Sequence, residues 1–195
     1  MVAVLATREI TLQLAGFLTG GFLIIVLGFL DDTRGVSPRV KLAGQIVAAC
    51  AVIPFGLEVN FLTNPLAEDP LLLGILSIPV TVLWIVSVTN AVNLIDGLDG
   101  LAGGISFIAS LTVVWIEMNQ AGGSPAQMEA VVLALILAAA VLGFLRYNFY
   151  PAKIFLGDTG SMFLGFSVAV LSIMGLAKSV TFISVIIPVV ILGIP

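Results

Sequence analysis

The run Thr11-Leu-Gln-Leu-Ala-Gly-Phe-Leu-Thr-Gly-Gly-Phe-Leu-Ile-Ile-Val-Leu-Gly-Phe-Leu30 contains no charged residue and is followed at once by Asp31-Asp32-Thr33-Arg34-Gly35. A helix needs about 20 mostly apolar residues to cross the hydrocarbon core of a bilayer. The run therefore reads as a membrane-spanning helix that ends in a pair of acids. The rest of the chain has the same character: of 195 residues, 60% are hydrophobic and 9% charged, where a soluble domain carries about 25% charge. So little charge cannot cover a water-facing surface, and the membrane class follows before any motif is considered.

Outward from this run, six more apolar stretches are long enough to be segments: Val40–Leu57, Leu71–Thr89, Leu101–Met118, Met128–Leu145, Ser161–Leu176 and Val180–Ile194. The expected architecture is all-α, a polytopic transmembrane helix bundle of about seven segments forming one domain over residues 1–195. The last two segments are short enough to be tilted, broken or re-entrant. Pro54, Pro79 and Pro188 fall inside segments, where membrane helices tolerate kinks. Met1–Ala6 is followed by Arg8 and Glu9 with no small-residue cleavage pattern, so no cleaved signal is expected. Cys50 is the single cysteine and histidine is absent. An intrachain disulfide, a histidine metal ligand and a histidine base are thereby excluded within these residues.

The bases set the orientation. Arg34, Arg39, Lys41, Arg146 and Lys153 lie in or beside connectors separated by an even number of crossings, and Arg8 and Lys178 fall on the other side. By the positive-inside rule the first group is cytoplasmic. The connector Asn90–Gly100 shares that side. Glu117 and Glu129 sit near segment ends on the opposite face, where solvation is cheap.

The cytoplasmic connectors carry Asp31-Asp32, Asp96 with Asp99, and Asp158, five of the eleven acids in the chain. Carboxylates near a bilayer are costly unless they face water, a partner or a metal. Asp31 and Asp32 also sit at a helix C-terminus, where the macrodipole disfavours negative charge. Such a pair needs Arg34, Arg39, Lys41 or a divalent cation, and its plain reading is a solvated helix end paired with Arg34. In Asn90-Ala-Val-Asn-Leu-Ile-Asp-Gly-Leu-Asp-Gly-Leu-Ala-Gly-Gly104, the oxygen-bearing Asn90, Asn93, Asp96 and Asp99 recur every third residue, near one face of a helical turn. Gly97, Gly100, Gly103 and Gly104 let backbone approach a ligand. Mg²⁺ prefers oxygen ligands, commonly one or two carboxylates plus substrate phosphates. The competing reading is a polar turn in which Asp99 caps the next helix. In Arg146-Tyr-Asn-Phe-Tyr-Pro-Ala-Lys-Ile-Phe-Leu-Gly-Asp-Thr-Gly-Ser161, glycines flank Asp158 and Thr159 just before a helix, and a helix N-terminus attracts anions. Tyr147, Phe149, Tyr150 and Phe155 suit either interface anchors or a stacking platform for a flat ring. Taken together, these groups on one membrane face suit a magnesium–diphosphate held beside a lipid phosphate. A transporter is the rival class, but it would place acids near mid-helix rather than at segment ends on one side.

At three places the chain resembles the polyprenyl-phosphate N-acetylhexosamine-1-phosphate transferase family: Asp31-Asp32 with Gly35-Val-Ser-Pro-Arg-Val-Lys-Leu42, the Asn90–Gly104 stretch, and Pro151-Ala-Lys-Ile-Phe-Leu-Gly-Asp-Thr-Gly-Ser161. Ile95 before Asp96, and Lys153, look more like the N-acetylglucosamine-1-phosphate branch than the alternative, phospho-N-acetylmuramoyl-pentapeptide branch. The resemblance implies a ten- or eleven-helix bundle in the plasma membrane with a cytoplasmic active site. It implies transfer of a sugar-1-phosphate from a UDP-N-acetylhexosamine to undecaprenyl or another polyprenyl phosphate, releasing UMP, with Mg²⁺ (Mn²⁺ as substitute). No nucleic acid is implied, and an oligomer is allowed. By the same resemblance Asp158 is a metal ligand assisted by Asn93 or Asp96. Asp31 and Asp32 bind or deprotonate the lipid phosphate, and Lys41 holds it. Asn90, Asp96 and Asp99 contact the nucleotide-sugar, and Asn148 shapes the site. The family has helices before the Asp-Asp helix and a His-bearing loop after the helix that ends Ile191-Leu-Gly-Ile-Pro195, so an incomplete enzyme is expected.

Overall fold

The computed structural model describes residues 11–63, 71–119, 124–176 and 180–181. Six α-helices dominate them: α1 (Leu12–Arg34), α2 (Pro38–Val52), α3 (Ser77–Ile95), α4 (Leu101–Asn119), α5 (Pro125–Asn148) and α6 (Gly157–Leu176). Each span, with the 3₁₀ turns that extend α2 to Phe55 and start α3 at Gly74, is long and apolar enough to cross a membrane, with mean hydropathy from 1.2 to 2.5. The protein is a multi-pass membrane protein. Large apolar side chains such as Phe22, Ile108 and Trp115 are well exposed on the bundle's outside, as expected where the surrounding solvent is lipid.

The helix ends follow local chemistry. Thr11 caps α1, its hydroxyl accepting from the Leu14 amide at 3.1 Å. Pro38 starts α2, where its missing N–H costs nothing. Ser124 and Gln127 close a reciprocal capping box on α5. Pro54 lies in the 3₁₀ turn Ile53–Phe55 that ends α2. Pro79 lies in the first turn of α3. Neither breaks a helix mid-span, because each falls where an amide donor is not required.

α6 is the hub. It packs against α1, α3, α4 and α5, and 61% of its span is buried, the largest share among the six helices. Small residues permit this. A Cβ on Gly28 of α1 would lie 2.4 Å from Thr159 Cα, and one on Gly165 of α6 would lie 2.7 Å from Thr89 Cα. Phe166 is fully buried and stacks on Phe17 at 6.3 Å. The Trp84 indole donates to Ala169 O at 3.2 Å and Ser172 Oγ at 3.1 Å, tying α3 to α6. At the bundle end away from Asp158, three short strands, β1 (Phe61–Thr63), β2 (Leu71–Leu72) and β3 (Val180–Thr181), form a sheet in the order β2-β1-β3.

Several expectations change. The segment expected over Leu71–Thr89 lies over Ser77–Ile95, with Leu71–Leu72 in a strand. Asn90 and Asn93 therefore stand on the last turns of α3 rather than in a connector. The sixth segment begins earlier than expected and is one continuous helix, so Asp158 lies in its first turn. Of the seventh, Val180–Thr181 is a strand and residues 182–195 lie outside the described residues, as do Arg8 and Lys178. Glu117 and Glu129 are not solvated: they are 5% and 6% exposed. Glu129 accepts from the Thr11 hydroxyl at 2.9 and 2.7 Å, a bond between chain-distant residues that proximity to a helix end did not foretell.

Candidate active site

Four helices deliver polar groups to one end of the bundle. Asp31 comes from the last turn of α1, Lys41 from the first turns of α2, Asn93 from the last turn of α3 and Asp158 from the first turn of α6. Lys41 Nζ pairs with Asp31 Oδ2 at 2.8 Å and with Asp158 Oδ1. Asn93 Nδ2 donates to the same Asp158 oxygen at 2.7 Å and to Ser161 Oγ at 2.8 Å. The side chains of Asp31, Lys41 and Asp158 are 10%, 18% and 35% exposed. Asp158 is thus the most open member of the trio, and for ion pairs as buried as these the cost of desolvation offsets much of the attraction, so they count little as stability. Their value lies in holding charge in place.

Asp31 also closes the turn after its own helix, accepting from the Val36 amide at 2.8 Å, while Gly35 caps α1 with its N–H on Asp31 O at 2.9 Å. Asp32 has a different task. Its Oδ1 accepts from the Asp158 amide at 2.8 Å, and its Oδ2 accepts from the Thr159 amide at 3.0 Å and the Thr159 hydroxyl at 2.5 Å. It is an N-terminal cap for α6 donated by α1, placed where the helix dipole favours negative charge. Gly157, at φ 63°, fits beneath it: a Cβ there would lie 3.0 Å from both Asp32 oxygens.

Asp96 follows α3 directly. Burial first, and then the nearby Asp158 charge, push its pKa up from 3.8 to about 6. Asp99 and Asn148 tie connectors together. Asp99 Oδ2 accepts from the Ala152 amide at 2.9 Å, Asn148 Oδ1 accepts from the Gly100 amide at 3.1 Å, and Asn148 Nδ2 donates to Ile154 O at 2.8 Å. Asp99 therefore does not cap α4. Gly103 spaces α4 from Leu145 of α5 rather than opening a path for a ligand, while nothing lies within 4 Å of a Cβ at Gly97 or Gly104. Tyr147, Phe149, Tyr150 and Phe155 are all exposed.

The structure thus brings together Asp31, Lys41, Asn93 and Asp158, with Asp32 and Asp96 beside them. Asp99 and Asn148 hold the neighbouring loops. Asn90 turns aside: its amide pairs with Gln45, a residue that sequence reasoning passed over. The available signal was spacing, since Gln45 lies four residues after Lys41 on the same face of α2.

Fold and site define an integral membrane protein with a charged centre at one end of its spanning helices. A family profile described as glycosyl transferase family 4 matches residues 14–176. The chain is 47% identical over 183 residues to a probable undecaprenyl-phosphate N-acetylglucosaminyl 1-phosphate transferase of Bacillus subtilis, covering 94% of this chain and 50% of that protein. It is 37% identical over 160 residues to a decaprenyl-phosphate N-acetylglucosaminephosphotransferase of Mycobacterium tuberculosis, covering 80% and 40%. It is 35% identical over 202 residues to a phospho-N-acetylmuramoyl-pentapeptide-transferase of Clostridioides difficile, covering 95% and 61%. This chain belongs to glycosyl transferase family 4. It spans about half the length of the curated relatives it matches.

Proposed function

We propose that the protein transfers N-acetylglucosamine 1-phosphate from a UDP-sugar to a polyprenyl phosphate at the cytoplasmic face of the plasma membrane. The meeting of Asp31, Lys41, Asn93 and Asp158 from four helices carries this reading. The Bacillus subtilis relative named for N-acetylglucosaminyl 1-phosphate transfer matches at 47% over 94% of this chain, above the 35% and 39% of phospho-N-acetylmuramoyl-pentapeptide-transferases of Clostridioides difficile and Clostridium botulinum, which favours that sugar.

The residues suit Mg²⁺. Among the described residues no three acidic, histidine or cysteine side chains form a closed metal cage. Two carboxylates, Asp158 and Asp96, stand close enough for the charge of one to raise the pKa of the other. That is the donor set of an ion that takes one or two carboxylates and fills its remaining positions with phosphate and water. Asp158 and Asp96, with the Asn93 amide oxygen, would hold it. When bound, it neutralises charge on the diphosphate and on the departing UMP.

In the reaction a lipid phosphate oxygen attacks the β-phosphorus of the UDP-sugar. The new phosphorus–oxygen bond forms as the bond to the bridging oxygen breaks, and UMP leaves with the electron pair. The products are the polyprenyl diphosphate sugar and UMP. Phosphoryl transfer of this kind depends on positioning and charge neutralisation. Lys41 supplies a fixed ammonium for the incoming anion, and Arg34 and Arg39, exposed at the same end of α1 and α2, add positive charge to that membrane face. Asp32 acts as a positioning residue, since both its oxygens are engaged in capping α6. Asp31 and Asp158 are both paired to Lys41, which favours direct attack by the lipid phosphate over an aspartyl-phosphate route. The test is UMP release by the full-length protein in detergent or nanodiscs. It should require UDP-N-acetylglucosamine, undecaprenyl phosphate and Mg²⁺ together. Release that proceeds at the same rate without the lipid phosphate would refute the acceptor assignment.

A further inference from the structure

One turn toward the membrane interior from the charged centre, the same three helices meet again. Gln45 lies four residues after Lys41 on α2, Asn90 three residues before Asn93 on α3, and Met162 four residues after Asp158 on α6. Gln45 Nε2 donates to Asn90 Oδ1 at 3.2 Å and to Met162 Sδ at 3.4 Å. Asn90 Nδ2 donates back to Gln45 Oε1 at 2.6 Å and to Val86 O at 2.8 Å. Gln45 is 1% exposed and Met162 fully buried. Two layers are therefore stacked: Lys41, Asn93 and Asp158 above, and Gln45, Asn90 and Met162 below.

The lower layer has a geometric consequence. A reciprocal amide pair fixes both the distance and the rotation of α2 against α3, because each amide needs the other's donor and acceptor in one plane. An apolar contact slides freely by comparison. The upper layer depends on that setting, since Lys41 and Asn93 reach the same Asp158 oxygen from α2 and α3. A buried amide left unpaired is costly, so the pair resists any shift that would separate its members.

We infer that Gln45 is a positioning residue of the active site, acting through Asn90 to hold Lys41 and Asn93 on Asp158. This rests on the proposed transferase reading, in which Asn90 was expected to contact the nucleotide-sugar. In the structure its amide is oriented toward Gln45 instead.

The test uses the full-length protein with Gln45→Leu, Asn90→Leu, the double Leu variant, and the exchange Gln45→Asn with Asn90→Gln. A misplacement near 1 Å can cost on the order of 10²-fold in rate. Gln45→Leu is therefore expected to lower kcat for UMP release tenfold or more, with KM for the UDP-sugar changed less than threefold. The double variant should be no worse than the weaker single, because one interaction is lost in each. The exchange, which keeps an amide pair, should recover at least a third of wild-type kcat. A normal kcat with only a lower Tm in Gln45→Leu would overturn the inference, and so would full additivity in the double variant. In parallel, Mg²⁺ alone is titrated and followed by thermal shift. Wild type should be stabilised at lower Mg²⁺ concentration than Gln45→Leu whether or not UMP is released, and equal midpoints would overturn the inference. A Mg²⁺ difference without any UMP release in wild type would reject the transferase reading and leave the positioning role standing.

Discussion

Replacing Gly157 by alanine distinguishes an Asp32 that caps α6 from an acid pair that is merely a solvated helix end. Gly157 has φ 63°, a conformation that costs an L-residue roughly 1–2 kcal/mol. The new Cβ would also lie 3.0 Å from both Asp32 oxygens, closer than ordinary van der Waals contact. Asp32 must then retreat, weakening its bonds to the Asp158 and Thr159 amides, and loss of such a cap costs about 0.5–2 kcal/mol. Together these predict a destabilisation of about 2–3 kcal/mol. For a protein of this size that is a fall in Tm of roughly 4–12 °C, measured by thermal unfolding in a fixed detergent. Because Asp158 is the next residue, kcat should fall together with Tm and persist below normal at temperatures where the variant is fully folded. Gly157→Asn should be milder in its backbone term, since Asn tolerates this region better than Ala. A Gly157→Ala protein with wild-type Tm and wild-type turnover would refute the claim that Asp32 caps α6 and places Asp158.

Other substitutions probe the charges and the loops. Lys41→Met leaves Asp31 and Asp158 facing each other without an ammonium, so Mg²⁺ should raise its Tm by more than it raises that of wild type. An equal rise would count against Lys41 and the metal sharing Asp158. Asp96, held at about 6 rather than its ordinary 3.8, keeps an extra proton in the folded state between those values. Its contribution to stability is therefore full below about pH 3.8 and is lost as pH rises through about 6. Asp96→Asn should flatten that slope, and wild-type Mg²⁺ affinity should weaken roughly tenfold per unit as pH falls below 6. Asp99→Ala removes a backbone bond to a charged acceptor worth about 1.5–3 kcal/mol. Hydrogen exchange across residues 97–100 and 151–156 should accelerate, with a smaller loss in kcat than for Asp158 variants.

The membrane bundle was legible because 9% charge leaves no alternative and because long uncharged runs mark their own spans. Gathering of the acids at one end followed from counting crossings between basic connectors, and α1, α3 and α6 do present Asp31, Asn93 and Asp158 together. Segment ends were less legible. Leu71–Leu76 is as apolar as the first turns of α3, so hydropathy placed the third segment too early, and Pro79 read as a kink rather than a first-turn proline. Partnerships across the chain were not legible at all. Nothing local in Asp31-Asp32 says that one acid pairs with Lys41 while the other caps a helix that begins at Gly157. Gln45, a lone amide in an apolar helix, is marked only by its four-residue spacing from Lys41, and nothing local names Asn90 as its partner. Glu129 looked solvated by its place near a segment end, whereas its partner Thr11 lies 118 residues away.

The most direct test of the central claim is turnover by Asp158→Asn in the full-length protein, read as UMP released and as lipid-linked sugar formed. Asn keeps the size of Asp158 and its backbone amide, and so leaves the Asp32 cap in place, but it removes the charge shared by Lys41, Asn93 and the proposed metal. We predict a Tm within a few degrees of wild type, a loss of kcat of at least 10³-fold and no recovery with added Mg²⁺. Turnover within tenfold of wild type at low Mg²⁺ would contradict the assignment of this four-helix centre as the active site.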